Sequence, residues 1–153
     1  MPERKHLKRL GSIYQSRPRY FITACTYRRR KLLVCPHIHK ALRHHWVKSL
    51  NLYGWAIGSY VVMPDHVHFF CTDANSDTPL SRMVGSWKQW SSKDICPLLN
   101  IEAPLWQKEF FDHMIRSGES YSEKWEYVRQ NPVRAGLVTD ANDWLYRGHI
   151  HHI

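Results

Sequence analysis

The connector Met63-Pro64-Asp65 joins two segments of strand character and is only three residues long. The segment before it, residues 55–62, is uncharged and rich in aromatic and β-branched residues, and the segment after it, residues 66–71, is also largely apolar. Parallel strands need a crossover of a dozen or more residues, whereas antiparallel strands can be joined by a short turn. The two segments are therefore predicted to pair as an antiparallel hairpin.

Other segments extend this hairpin into a larger pattern. Apolar residues three or four positions apart favour helices, and prolines, glycines and an S-x-x-E capping box at Ser120 and Glu123 mark helix ends. The order strand–helix–strand–strand–helix–strand–helix is typical of a ferredoxin-like (split βαβ) α+β fold, with helices packed on one face of an antiparallel sheet. The predicted strands cover residues 20–27, 55–62, 66–71 and 110–116, and the predicted helices cover residues 36–52, 79–97 and 120–132.

Bulk properties indicate one folded domain with a basic N-terminal arm and a C-terminal tail. A chain of 153 residues has the length of a single domain, and 43% hydrophobic residues exclude a disordered chain. The longest uncharged run, residues 49–64, contains Asn51, Gly54 and Gly58 and is predicted to hold a buried strand, not a membrane span. The four cysteines form no C-x-x-C pair, and without a secretory signal we expect reduced thiols in a cytoplasm.

Charge is unevenly distributed along the chain. Residues 1–50 contain 13 of the 22 Lys and Arg residues but only one of the 13 acidic residues, Glu3. This imbalance favours a polyanionic partner, nucleic acid first and anionic lipid second. The segment Trp87-Lys88-Gln89-Trp90 alternates cations with aromatic rings, a pattern suited to unpaired bases, although core packing is the stronger interpretation for Trp87.

The motif His66-Val67-His68 lies within a predicted strand. Because side chains alternate along a strand, His66 and His68 are expected on one face and Val67 on the other. Two imidazoles on one face are a plausible bidentate metal seat, and a pair of ordinary surface histidines is the alternative. Cys71 suggests a zinc site, but alternation directs it to the Val67 face. The histidines at 149, 151 and 152 are expected to be solvated.

The third predicted helix separates two tyrosines. At about 100° per residue, Tyr121 falls on the apolar stripe with Trp125 and Val128, whereas Tyr127 falls off it and next to Asn131. An exposed phenol can attack a phosphodiester that is held on a divalent cation. The amide oxygen of Asn131 would complete a two-histidine, one-oxygen site suited to Mg²⁺ or Mn²⁺. A surface tyrosine without catalytic function is the alternative, and spacing alone favours it.

Three motifs in fixed order carry a family resemblance: MPDHVH at residues 63–68, WQKEFFDHMIR at 106–116 and YVRQNPVRAGLV at 127–138. Together they resemble the REP-associated tyrosine transposases, single-tyrosine HUH transposases of bacterial insertion sequences. The resemblance implies that His66 and His68 bind a divalent metal. It also implies that Tyr127 attacks single-stranded DNA beside a hairpin, leaving a 5′-phosphotyrosine and a free 3′-OH. Asn131 matches the third ligand, with Gln130 as a substitute if the helix ends early.

These expectations define a basic arm (1–18), an HUH nuclease domain (19–138) and a C-terminal tail (139–153). The expected partner is a single-stranded DNA hairpin of REP type, bound by a monomer or homodimer associated with the bacterial nucleoid. Two alternatives stay open: a non-enzymatic binder of structured single strands, and a zinc hydrolase using His66, His68 and Cys71. The expected nucleic-acid contacts are Arg19, Arg28, Arg29, Arg30, Lys88 and Lys93.

Overall fold

The computed structural model describes residues 17–115 and 120–153. Its strands are β1 (Arg19–Cys25), β2 (Trp55–Val62), β3 (His66–Asp73), β4 (Phe111–Ile115) and β5 (Arg147–His149), and its helices are α1 (Pro36–Tyr53), α2 (Leu80–Leu99), α3 (Tyr121–Arg129) and the short α4 (Asn131–Arg134). The strands form one antiparallel sheet in the order β4-β1-β3-β2-β5, which confirms the predicted ferredoxin-like fold. The arm up to residue 16 and Arg116, the predicted end of the fourth strand, lie outside the described residues.

The predicted hairpin is present between β2 and β3. Val62 pairs with Val67, and the Met63 N–H donates to the His66 carbonyl at 2.8 Å, so the connector turns within three residues. On its other side β3 pairs with β1, and this register sets Thr23 opposite His68. The central strand β3 is therefore hydrogen-bonded on both edges.

One face of the sheet is covered by α1 and α2. Trp46 of α1 and Trp87 of α2 stack with ring centroids 5.8 Å apart, over Phe69 of β3. Gly54 ends α1 in the left-handed conformation at φ 73°, where a Cβ atom would lie 2.3 Å from the Ser76 Cβ. No helix among residues 17–115 and 120–153 has the length and apolarity needed to cross a bilayer.

Helix α2 differs from its prediction at the C-terminal end. Pro97 was expected to stop it, but the helix continues to Leu99 and ends at Asn100 in the left-handed conformation. A proline lacks only its own N–H donor, and its carbonyl still accepts from the Asn100 N–H at 3.2 Å. The helix therefore forgoes the hydrogen bond that residue 97 would donate to the Lys93 carbonyl, and it ends within one turn of the proline.

Helix α3 lies on the opposite face of the sheet from α1 and α2, which corrects the expectation that all helices share one face. Phe70 of β3 points to that second face, where its ring contacts Tyr121 and Trp125. A sheet with apolar residues on both faces needs cover on both, and α3 supplies the second layer.

The sequence predicted a separate C-terminal tail after Val138, but these residues are part of the fold. They supply β5 along the edge of β2, and Trp144 is buried with its indole N–H donating to the Val62 carbonyl at 3.1 Å. They also close the second face beside α3.

Hydrogen bonds next to an irregularity in β2 hold the start of α3 against the sheet. The β2–β3 register shifts between Ile57 and Tyr60, and this turns Ser59 towards Tyr121. The Tyr121 hydroxyl accepts from the Ser59 N–H at 3.0 Å and donates to the Ser59 Oγ at 2.9 Å. Gly58 permits this approach, because a Cβ there would lie 2.7 Å from the Tyr121 hydroxyl.

These contacts predict different costs for two changes at Tyr121. Tyr121→Phe removes two hydrogen bonds and leaves a backbone donor unpaired, so we expect a loss of about 1–3 kcal/mol in the free energy of unfolding. Tyr121→Ala also removes the partly buried ring against Phe70, for a larger expected loss that approaches the figure of about 3–5 kcal/mol for a fully buried aromatic ring. Urea unfolding of both variants measures the difference. Equal costs for the two changes would contradict a packing role for the ring.

Candidate active site

The two histidines of the H-x-H motif lie side by side at the start of β3, as alternation predicts. Their ring centroids are 4.8 Å apart with planes at 75°, and Val67 points into the core on the other face. Both imidazoles are partly buried. The pair therefore presents two nitrogen donors to the side of the sheet covered by α3.

Each imidazole is held through its Nδ1 atom. His66 Nδ1 is 2.7 Å from Asp65 Oδ1, and His68 Nδ1 is 2.8 Å from Thr23 Oγ1. Within the described part of the chain, neither Nε2 atom has a hydrogen-bond partner. Metal-binding histidines usually have this arrangement, with the second ring nitrogen bonded to a carboxylate or another oxygen.

Asp65 links the first histidine to an arginine. Its second oxygen, Oδ2, accepts from Arg29 Nε at 3.0 Å, and Arg29 also donates to Cys25 Sγ at 2.8 Å. Burial opposes the charge of Asp65, but hydrogen bonds and charge from His66 and Arg29 prevail and lower its pKa. Arg28 and Arg29 both adopt the left-handed conformation, with φ 58° and 54°, in the turn that follows β1. This strained turn brings the Arg29 side chain to Asp65.

His68 is neutral at physiological pH. Burial, followed by electrostatic interactions with His66, Lys124, Arg134 and Arg29, lowers its pKa to about 3. A neutral imidazole is the form that binds metal ions.

Tyr127 lies on the solvent side of α3, as the helical wheel predicts, with 61% of its surface exposed. A series of contacts connects it to the histidines. Phe21 stacks on His68 with centroids 5.1 Å apart, and Lys124 Nζ lies 5.1 Å from the Phe21 centroid and 5.9 Å from that of Tyr127. The Tyr127 ring is therefore connected to the imidazole pair through Lys124 and Phe21.

A break separates α3 from α4 three residues after Tyr127, at Gln130. Helix α3 was expected to continue to Pro132, but it ends at Arg129, and Asn131 begins α4. Arg134 Nη2 donates to the Tyr127 carbonyl at 2.8 Å and to Asn131 Oδ1 at 2.6 Å. Its Cζ atom also lies 4.1 Å from the Tyr127 ring centroid. One guanidinium group thus contacts the tyrosine and the amide.

In the described ranges the histidine pair lacks a third imidazole, thiolate or carboxylate ligand. Among residues 17–115 and 120–153, no three His, Cys, Asp or Glu side chains form a group that could hold a metal ion. Arg134 contacts both Asn131 and Tyr127. The side-chain amide of Gln130 instead donates to Glu126 Oε1 at 3.4 Å on an exposed surface.

A known protein family matches most of this chain. Residues 14–131 match the family model described as Transposase IS200 like, which is more than half of the chain. The chain belongs to the IS200-like transposase family. The family resemblance seen in the three sequence motifs is thereby confirmed.

This IS200-like transposase also resembles individual proteins. It is 30% identical over 129 residues to the REP-associated tyrosine transposase of Escherichia coli (strain K12), with 83% of this chain and 73% of that protein covered. The solved structure of a REP-associated tyrosine transposase bound to a REP hairpin matches with a TM-score of 0.68 and 28% identity, over 86% of this chain and 75% of that chain. A crystal structure from Deinococcus radiodurans, 16% identical with a TM-score of 0.54 over 73% of this chain and 88% of that chain, shows a shared fold alone.

The arginines expected to contact nucleic acid differ in their surroundings. Arg28 and Arg29 are exposed, and Arg30 is partly buried against the Tyr27 and Pro104 carbonyls. Arg19 lies over the Tyr121 ring, at 5.5 Å from its centroid. Arg28 and Arg29, in the turn after β1, are therefore the most accessible of the arginines expected to contact nucleic acid.

Lys88 does not fit the role of a surface cation. Its ammonium is buried and donates to the carbonyls of Gln107, Lys108 and Glu109, at 2.8, 3.4 and 2.6 Å. Burial lowers its pKa to about 8, so it remains largely protonated at pH 7. It holds the segment that leads to β4. Lys93, in contrast, is exposed over the Trp90 ring.

The zinc alternative is not supported by the position of Cys71. Its side chain lies in the core beneath α1 and α2, on the face away from the histidines, and burial raises the pKa of its thiol.

Sequence reasoning missed Lys124 and Arg134, which lie three residues before and seven after Tyr127. The i, i+3 spacing of Lys124 and Tyr127 on one helix was the available signal for Lys124, whereas Arg134 lies beyond the helix break and local spacing gave no signal for it.

Proposed function

We propose that this transposase cleaves and rejoins single-stranded DNA beside a REP-type palindromic hairpin, with Tyr127 as the nucleophile. The observation that carries the proposal is an exposed phenol connected through Lys124 and Phe21 to two imidazoles whose Nε2 atoms are free of partners in the described chain. The Escherichia coli relative and the hairpin-bound structure indicate the substrate class. Such an enzyme would act at the nucleoid, as a monomer or homodimer.

Mg²⁺ or Mn²⁺ fits the donor set of this site. His66 and His68 would bind the ion through Nε2, because Asp65 and Thr23 engage their Nδ1 atoms. The amide oxygen of Asn131 is the proposed third ligand, with Gln130 as the alternative. When bound, the ion neutralises charge on the phosphate and orients the scissile bond.

The proposed reaction exchanges one phosphodiester for another. The Tyr127 hydroxyl oxygen attacks the phosphorus, an oxygen–phosphorus bond forms, and the bond from phosphorus to the 3′ oxygen breaks. The phenol proton passes to solvent and the departing 3′ oxygen takes up a proton, which leaves a 5′-phosphotyrosine and a free 3′-OH. Lys124 and Arg134 flank the ring and are placed to balance the charge of the phosphate. Rejoining is the reverse reaction.

Incubation of the protein with single-stranded hairpins from its own genome, with Mg²⁺ or Mn²⁺, tests the proposal. A denaturing gel should show a covalent protein–DNA adduct and a shortened product with a free 3′-OH. EDTA and an unstructured oligonucleotide of equal length are the controls. Tight hairpin binding without an adduct under all metal conditions would instead indicate a non-enzymatic binding protein.

Arg134 is expected to position both Tyr127 and Asn131. Arg134→Gln removes the contacts to the Tyr127 carbonyl and to Asn131, so we expect cleavage to slow by about ten- to a hundredfold while hairpin affinity changes by less than about threefold. Single-turnover cleavage rates and DNA titrations separate the two effects. Arg129→Gln, which removes an arginine paired with Glu126 on the same segment, is the matched control. An equal fall in rate and affinity would contradict a positioning role.

A further inference from the structure

The outward side of α1 and α2 contains a groove far from the histidines. It has a volume of about 450 Å³ and runs between the two helices, with Lys48, Leu52 and Tyr53 on one side and Trp90 on the other. The sheet separates it from His66 and His68, because α1 and α2 cover one face and the histidines lie on the other. The groove is therefore not part of the active site.

Trp90 lines this groove and lies outside the hydrophobic core. It is 49% exposed, whereas Trp87, three residues earlier, is fully buried against Trp46. Lys93 Nζ lies 4.6 Å from the Trp90 ring centroid. An exposed indole beside a lysine has the composition of a stacking platform for a nucleobase.

The two helices that form the groove carry an excess of positive charge. Helix α1 contains no Asp or Glu, and α2 contains one acid, Asp94. Asp94 Oδ2 lies 2.5 Å from His45 Nε2, and this contact bridges the two helices across the groove. Lys48 lines the groove, and Lys93 is exposed beside it over the Trp90 ring. The cationic side chains of the two helices outnumber this one carboxylate, and the excess favours an anionic occupant.

We propose that this groove binds an unpaired nucleotide of the DNA substrate, with its base on Trp90 and its phosphates near Lys48 and Lys93. The inference rests on the proposed function for the identity of the substrate. Because the sheet lies between the groove and the active site, the nucleotide belongs to a single-stranded flank that passes around the domain. The groove adds affinity for long strands and takes no part in cleavage.

The test compares dissociation constants for a hairpin with a long single-stranded flank and for the same hairpin trimmed of it. For the wild type the flank strengthens binding. Trp90→Ala should reduce this advantage by at least about fivefold, since a stacked base contributes about that much or more. Trp90→Phe keeps a ring and should recover most of it. Leu98→Ala, a substitution at a 60% exposed apolar residue of the same helix, is the matched control.

Charge provides a second readout. Lys48→Gln with Lys93→Gln should lower the salt dependence of long-flank binding, by about 0.7 in the logarithmic slope for each phosphate that is no longer neutralised. An undiminished flank advantage in Trp90→Ala, or an equal loss of affinity for both hairpins, would overturn the proposal. A change in self-association without a change in DNA affinity would also overturn it and assign the groove to a protein contact. Adduct formation by the wild type on the trimmed hairpin tests the proposed function separately.

Discussion

Tyr127→Phe is expected to bind hairpin DNA and metal normally and to form no covalent adduct. The substitution removes only the hydroxyl, and the ring stays exposed beside Lys124 and Arg134. Without the oxygen nucleophile no phosphotyrosine can form, so we expect cleavage to fall by at least about a thousandfold. A denaturing gel with labelled hairpin, followed by peptide mapping of the wild-type adduct, measures this result.

Tyr121→Phe is the control on the same helix. Its ring packs on Phe70 and its hydroxyl is bonded to Ser59, so this variant should lose stability but still form the adduct. Peptide mapping of the adduct to Tyr121, or undiminished cleavage by Tyr127→Phe, would overturn the assignment of the nucleophile.

His68→Ala is expected to abolish metal-dependent cleavage while leaving most of the hairpin affinity. It removes one of two nitrogen donors, so Mn²⁺ affinity should fall by about a hundredfold or more. His66→Ala should have the same effect and leaves the Thr23 and Phe21 contacts of His68 in place. Mn²⁺ titration without DNA measures the metal site, and a gel shift in EDTA measures DNA binding.

An exposed histidine remote from the motif is the control for this pair. His152→Ala removes an imidazole that stacks near His149 and should leave Mn²⁺ affinity and cleavage unchanged. Retention of wild-type Mn²⁺ affinity by both His66→Ala and His68→Ala would place the metal elsewhere.

Local periodicity predicted much of this molecule. Alternation correctly set His66 and His68 on one face and Cys71 on the other, and the helical wheel correctly separated partly buried Tyr121 from exposed Tyr127. These outcomes depend on residues a few positions apart, and backbone geometry fixes such relations. The catalytic and metal-binding roles of these residues stay predictions.

Relations between distant segments were not predictable in the same way. Nothing local to α3 specifies which face of the sheet it covers, because this depends on apolar residues such as Phe70 that point away from α1 and α2. The burial of Lys88 was missed because its partners are carbonyls some twenty residues later in the chain, and a charge pattern does not report backbone acceptors. Both features depend on long-range packing.

Because side chains alternate along β3, point mutations in this strand fall into two separate sets. Substitutions at Val67 or Phe69 affect the core under α1 and α2, and substitutions at His66 or His68 affect the site, so each set can vary without the other. An insertion or deletion affects both sets at once. One residue inserted between His68 and Phe69 would turn both imidazoles into the core and Val67 out of it. Related genes are therefore expected to accumulate point mutations here while excluding single-codon insertions and deletions.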